Sequence, residues 1–305
     1  MPWEIDHALF TADRLKQGLY NISSNDVIYI DSALNLSSQV INWDSSKLPK
    51  EFFVEKYNLF LKTLSNKVIN NSFVYDGNDI YGHLDLQKTA KQENVDYYIN
   101  ICPDIDFSPS LLFYMIESAK QISTKYFVLT SQIFRCWDES WDVLVNQNFM
   151  KYRCNETINV DIHDIRHQSQ QFNDVSIIDI NEFKFAGWFD LYNKSFFENL
   201  CPYLDEWHGY GPWDYYAINI CNFAKKLGVD VRQYVIKNEV IYFYDNGILS
   251  DTERGYNGDG LFKSTYKKFL CEQITKTQQT NNIYKSINRY MNDWANRASK
   301  EGIIR

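Results

Sequence analysis

The chain has 305 residues, 45% hydrophobic and 23% charged, an ordinary globular composition with material for one large domain or two fused halves. Its net charge of −8, with lysine and arginine scattered, excludes the basic face of a nucleic-acid binder. No apolar run approaches transmembrane length, no secretory signal follows Met1, and the six cysteines are dispersed without a CxxC pair, so reduced thiols and a cytoplasmic location are expected.

The first half alternates strand and helix patterns. Asp26–Leu34 is β-branched and apolar and predicts a buried strand, and Glu51–Leu64 has helical apolar spacing. Asn70–Asp76 predicts a strand, His83–Asn94 a more polar helix, and Asp96–Cys102 another strand. Ser108 then offers an N-cap and Pro109 a first helical position, ahead of the stripe Leu111, Leu112, Met115, Ile116, Ala119 and Ile122. Lys125–Ile133 is the next strand pattern. Repeated strand–helix–strand order predicts an α/β fold with a mostly parallel sheet covered by helices.

The second half is less regular. Val175–Ile180 and Gln233–Tyr244 predict strands, and Asp214–Gly228 predicts a helix closed by Lys225, Lys226 and Gly228. Gly247–Gly260 is rich in turn residues. A C-terminal amphipathic helix carries Ile283, Ile287, Tyr290, Met291, Trp294 and Ala298. It is expected to pack on the body, with contact to a membrane surface as the other reading.

The chain's one Asp-x-Asp, Asp104 and Asp106 in "YYINICPDIDFSPSLL", follows the Asp96–Cys102 strand pattern. In open α/β sheets ligands bind beyond the carboxyl ends of the strands. Two carboxylates on a turn there can share a hard cation such as Mn²⁺ or Mg²⁺, which keeps positions open for phosphate oxygens. Asx-turn chemistry capping the next helix is the competing explanation.

That element, with the order of the segments around it, resembles the GT-A-type glycosyltransferases, the nucleotide-sugar-dependent enzymes similar to family two. The resemblance runs from about Asp26 to Tyr244. It implies a Rossmann-like nucleotide half, about 1–135, fused to an acceptor half, 136–260, in one catalytic domain, with 261–305 as a helical extension. It implies that Asp104 and Asp106 bind metal and diphosphate, and that Asp31, in "VIYIDSALN", accepts from the base or ribose. Gly82 and His83, in "GNDIYGHLD", match the turn near the nucleotide, Phe183–Leu200 matches the acceptor side, and Asp214, in "GYGPWDYY", matches the general base. Trp188, Trp213 and His208 fall around that side and are candidates for stacking on or touching a sugar. The chain departs from the family at its start, where "MPWEID" stands in place of a first central strand, and at Trp213-Asp214, where the family has two acids.

The implied activity is metal-dependent transfer of a sugar from a nucleoside-diphosphate sugar, UDP ahead of GDP, to a hydroxyl of a glycan or other acceptor. Inversion is expected, because a base candidate is present and no nucleophile is evident. A nucleotidyltransferase, or a carbohydrate-binding protein without chemistry, are the rival readings. The former normally needs a Gly-rich loop with Lys or Arg near the N-terminus, which the sequence does not show.

Overall fold

The computed structural model describes residues 5–23, 25–36, 49–64, 69–75, 82–103, 105–135, 155–157, 177–180, 183, 189–200, 213–243 and 282–304. In chain order the elements are α1 (Ile5–Leu19), β1 (Tyr29–Asn35), α2 (Lys50–Leu64), β2 (Ile69–Tyr75), α3 (Gly82–Glu93), β3 (Tyr97–Ile101), β4 (Ile105–Phe107) and α4 (Ser110–Gln121). There follow β5 (Tyr126–Arg135), β6 (Asn155–Thr157), β7 (Ile177–Ile180), β8 (Phe189–Asn193), α5 (Lys194–Asn199), α6 (Trp213–Lys226), β9 (Val231–Phe243) and α7 (Asn282–Lys300).

The expected strands and helices of the first half are present within a few residues. Pro109 is already helical, at φ −54° and ψ −24°. The residue flanking the helix is Pro109 rather than Ser108 and no side-chain cap bond is made, although the Ser108 hydroxyl accepts from the Ser110 backbone N–H at 3.3 Å in a local turn. The sequence reading did not find α1, β4 or β8. In α1 the buried residues Ile5, Ala8, Ala12, Leu15 and Leu19 recur at intervals of three and four, the signature of one helical face.

The main sheet has strand order β3-β8-β5-β9-β4, with β6 beside β5 and β7 beside β9. Apolar residues cover both of its faces. Phe127 and Leu129 of β5 join Phe189 and Leu191 of β8 under α1 and α4, through Ala12, Leu15, Leu111, Leu112 and Met115. Tyr126, Val128 and Tyr192 pack instead with Phe196, Ile220, Ala224, Trp294 and Ala298 of α5, α6 and α7. Alternate residues along a strand point to opposite faces, so a strand buried on both sides is apolar at nearly every position. The result is a helix–sheet–helix sandwich, which accords with the α/β expectation.

The expectation of a mostly parallel, Rossmann-like sheet is corrected. Parallel pairing joins β1 to β2, β5 to β9 and β5 to β6. Antiparallel pairing joins β3 to β8, β5 to β8, β4 to β9 and β7 to β9. Because β8 runs against both β3 and β5, those two strands share a direction, as the strand–helix order implies, without being neighbours. The strand between them comes from the second half of the chain, so the main sheet draws on both sides of residue 135. β1 and β2 form a separate two-stranded sheet among the described residues.

Strand β9 is interrupted where it changes partner. Ser131 pairs with Ile236, but the next residue, Gln132, pairs with Val240, so Lys237, Asn238 and Glu239 bulge out of the ladder. Before the bulge β9 pairs with β7, and beyond it β9 pairs with β4.

Helix α1 packs on α2, α4 and β4. At Gly18 the fit leaves no room for a side chain, since a Cβ there would lie 2.8 Å from the Pro109 carbonyl oxygen and 3.3 Å from Leu112 Cβ. The clash is with backbone, which cannot swing away. Gly18→Ala is therefore expected to destabilise the protein by about 1–3 kcal/mol. Helix propensity alone predicts a gain of roughly 1 kcal/mol, so the sign of the change in a urea unfolding curve decides whether α1 lies this close to α4.

Candidate functional site

The acidic element begins where β3 ends. Asp106 is the middle residue of β4, opposite Tyr242 of β9, and is 4% exposed. The sequence reading set both carboxylates on an open turn, but the structure places the second inside a short buried strand. A carboxylate this buried needs a partner. Arg14 Nε donates to its Oδ1 at 3.1 Å. One turn earlier on α1, Thr11 shares its hydroxyl proton between the carbonyls of Pro103, at 2.7 Å, and Ile105, at 3.0 Å. With Gly18 against Pro109, residues 11, 14 and 18 form one face of α1 that lies along the 103–109 segment.

Asp31 is the third residue of β1 rather than its end. It pairs with Asn71, whose Nδ2 donates to Asp31 Oδ1 at 2.8 Å and to Glu93 Oε1 at 3.0 Å. Burial pushes the Asp31 carboxyl up from its ordinary range, the Asn71 bond pulls it down, and the Glu93 charge raises it further. Asp31 thus belongs to a bridged pair of acids between β1 and the end of α3.

Gly82 and His83 open α3, and Trp213 and Asp214 open α6. The side chains of His83, Trp213 and Asp214 lie outside the described set, as do Asp104, Trp188 and His208 altogether.

The sequence reading missed three sets of groups. Arg14 and Thr11 sit beside the apolar stripe of an unrecognised helix, where nothing local reveals a partner 92 residues away. Glu239, 1% exposed, accepts from the Ser110 hydroxyl at 3.1 Å, and its backbone carbonyl accepts from the Ser131 hydroxyl. Burial pushes its carboxyl up to about 7, against the opposing pull of the Ser110 bond. The one acid within the strand pattern Gln233–Tyr244 was the available signal. Asp190 of β8, fully buried, lies opposite Asn100 of β3 and accepts from the Tyr192 hydroxyl at 3.1 Å.

Among the described residues no three or more His, Cys, Asp and Glu gather as a metal cluster. One carboxylate of this element, Asp106, is described, and carboxylate oxygens are the donor type that hard divalent cations take. A carboxylate has two oxygens and about four acceptor positions, and Arg14 Nε takes one of them at Asp106 Oδ1. Comparison with family models, curated proteins and solved structures finds no match. No helix of the described residues is long and apolar enough to cross a membrane.

Proposed function

We propose that this chain is a metal-dependent glycosyltransferase of GT-A type, transferring a sugar from a nucleoside-diphosphate donor, UDP ahead of GDP, to an acceptor hydroxyl with inversion. The observation that supports this most is the buried Asp106, just beyond the end of β3 and ahead of α4, in a sheet with helices on both faces. Position beyond a strand's carboxyl end is where α/β sheets take ligands.

In this reading Asp104 and Asp106 hold Mn²⁺ or Mg²⁺. When bound, the cation supplies charge neutralisation that makes the diphosphate a better leaving group. Asp31 accepts a hydrogen bond from the base or ribose, with Gly82 and His83 near the nucleotide. Trp188, Trp213 and His208 line the acceptor and sugar side. Asp214 takes the proton of the acceptor hydroxyl as its oxygen attacks the anomeric carbon, and the bond from that carbon to the diphosphate breaks with its electron pair leaving on the diphosphate.

Calorimetric titration of UDP and GDP, with and without Mn²⁺, tests the reading. Wild type should bind one nucleotide in a metal-dependent way, and Asp104→Asn with Asp106→Asn should weaken it by at least about tenfold, or 1.4 kcal/mol, in protein shown to be folded by circular dichroism. Asp214→Asn should keep that binding and lose transfer. Folded wild-type protein that binds neither nucleotide would sink the proposal and turn attention to glycan binding.

A further inference from the structure

We propose that Arg14 is a diphosphate-binding residue, a fixed cation that Asp106 orients toward the ligand's phosphates; this rests on the glycosyltransferase reading above. The geometry that carries it is an arginine held through its helix, its guanidinium face and its Nε. Helix α1 is tied to the 103–109 segment through Thr11 and the close approach at Gly18. The guanidinium carbon sits 4.9 Å from the centre of the Phe10 ring. Nε donates to Asp106, which fixes the plane of the group. The other four N–H donors are on the two amino nitrogens, the fork that suits phosphate oxygens. The side chain keeps 17% of its surface exposed, so it is positioned by the protein yet open to a ligand.

Charge supplies the reason for an arginine here. A divalent cation held by two carboxylates is neutral as a unit, whereas a diphosphate is strongly anionic. Arg14 tips the unit to net positive. In a partly buried setting that charge is screened less than it would be in water. Its effects on the two ligands have opposite signs: it attracts the phosphates and repels a bare metal ion.

That opposition defines the test. Calorimetry on the full chain compares wild type, Arg14→Gln and Arg14→Lys for Mn²⁺ alone, inorganic pyrophosphate with Mn²⁺, and UDP with Mn²⁺. Arg14→Gln should weaken pyrophosphate and UDP by about tenfold or more, while its affinity for Mn²⁺ alone holds or rises. Arg14→Lys, which keeps the charge and loses the fork, should fall between the two. The inference is overturned if Arg14→Gln binds UDP as wild type does. It is equally overturned if Mn²⁺ affinity falls in step with UDP affinity, because Arg14 would then be only a prop for the turn. Should Arg14→Gln fail to fold, Arg14→Lys decides, and complete loss of pyrophosphate binding in a folded lysine variant counts against the proposal. Wild type that binds pyrophosphate but no nucleotide would remove the nucleotide-sugar reading while the pyrophosphate arm still judges Arg14.

Discussion

Trp294→Ala should lower the unfolding free energy by about 3–5 kcal/mol, the range for deleting a large aromatic from a core. Trp294 is fully buried, packs edge-on against Phe223 of α6 at 6.0 Å, and donates from Nε1 to the Asn199 carbonyl at 2.7 Å. It shares a core with Tyr192, Phe196, Ile220 and Ala224, so its loss opens a void between α7, α6 and the end of α5. Arg297 Nη2 also reaches the Asn199 carbonyl, at 3.3 Å, and keeps that oxygen partnered in the variant. Trp294→Phe retains much of the apolar area and loses the indole bond, so roughly 1–2 kcal/mol is expected. Urea unfolding of both variants is the measurement. A loss below about 1 kcal/mol in the alanine variant would mean that α7 does not dock on the body in solution. Of the apolar face that the sequence allowed for a membrane surface, Trp294 and Ala298 are buried here and Met291 packs against the same core.

Glu239→Gln should stabilise the protein at alkaline pH and change little at acid pH. In the folded chain burial holds the Glu239 carboxyl up at about 7, above the 4.5 of an ordinary glutamate. Between those values the native state keeps a proton that the unfolded chain has released. Stability from this group is therefore complete below the unfolded value, falls as pH rises through the window, and is lost above the folded value. Glutamine is neutral throughout and can still accept from Ser110, so it escapes the loss. The gain at pH 8 is up to about 3 kcal/mol, with near equality at pH 4. Asp31, also raised, adds a loss of the same sign, and the difference between wild type and variant isolates Glu239. Parallel stability curves for the two proteins from pH 4 to 8 would show that the carboxyl titrates normally and that the bulge admits water.

The places where sequence reasoning succeeded share a cause. Helices α2, α4, α6 and α7, and strands β5 and β9, were legible because burying one face leaves a local period of 3.6, and burying a strand leaves a short apolar run. Helix α1 carries such a period too, at Ile5, Ala8, Ala12, Leu15 and Leu19. Strand β8 is five residues with a charged residue inside, and Asp190 disguises it until its neighbours β3 and β5 are in place.

Of the candidate site, the sequence by itself determined that two acids follow a strand and precede a helix opened by Ser-Pro, because strand pattern and proline geometry are local. It also determined the α/β class, through the alternation of periods. Only the tertiary structure decided the rest. It set Asp106 inside a strand with Arg14 as its partner, joined Ser110 to Glu239 across 129 residues, and inserted β8 between two strands of like direction. These pairings follow from which apolar faces can be buried together, and a buried charge takes whichever counter-charge that packing brings within reach.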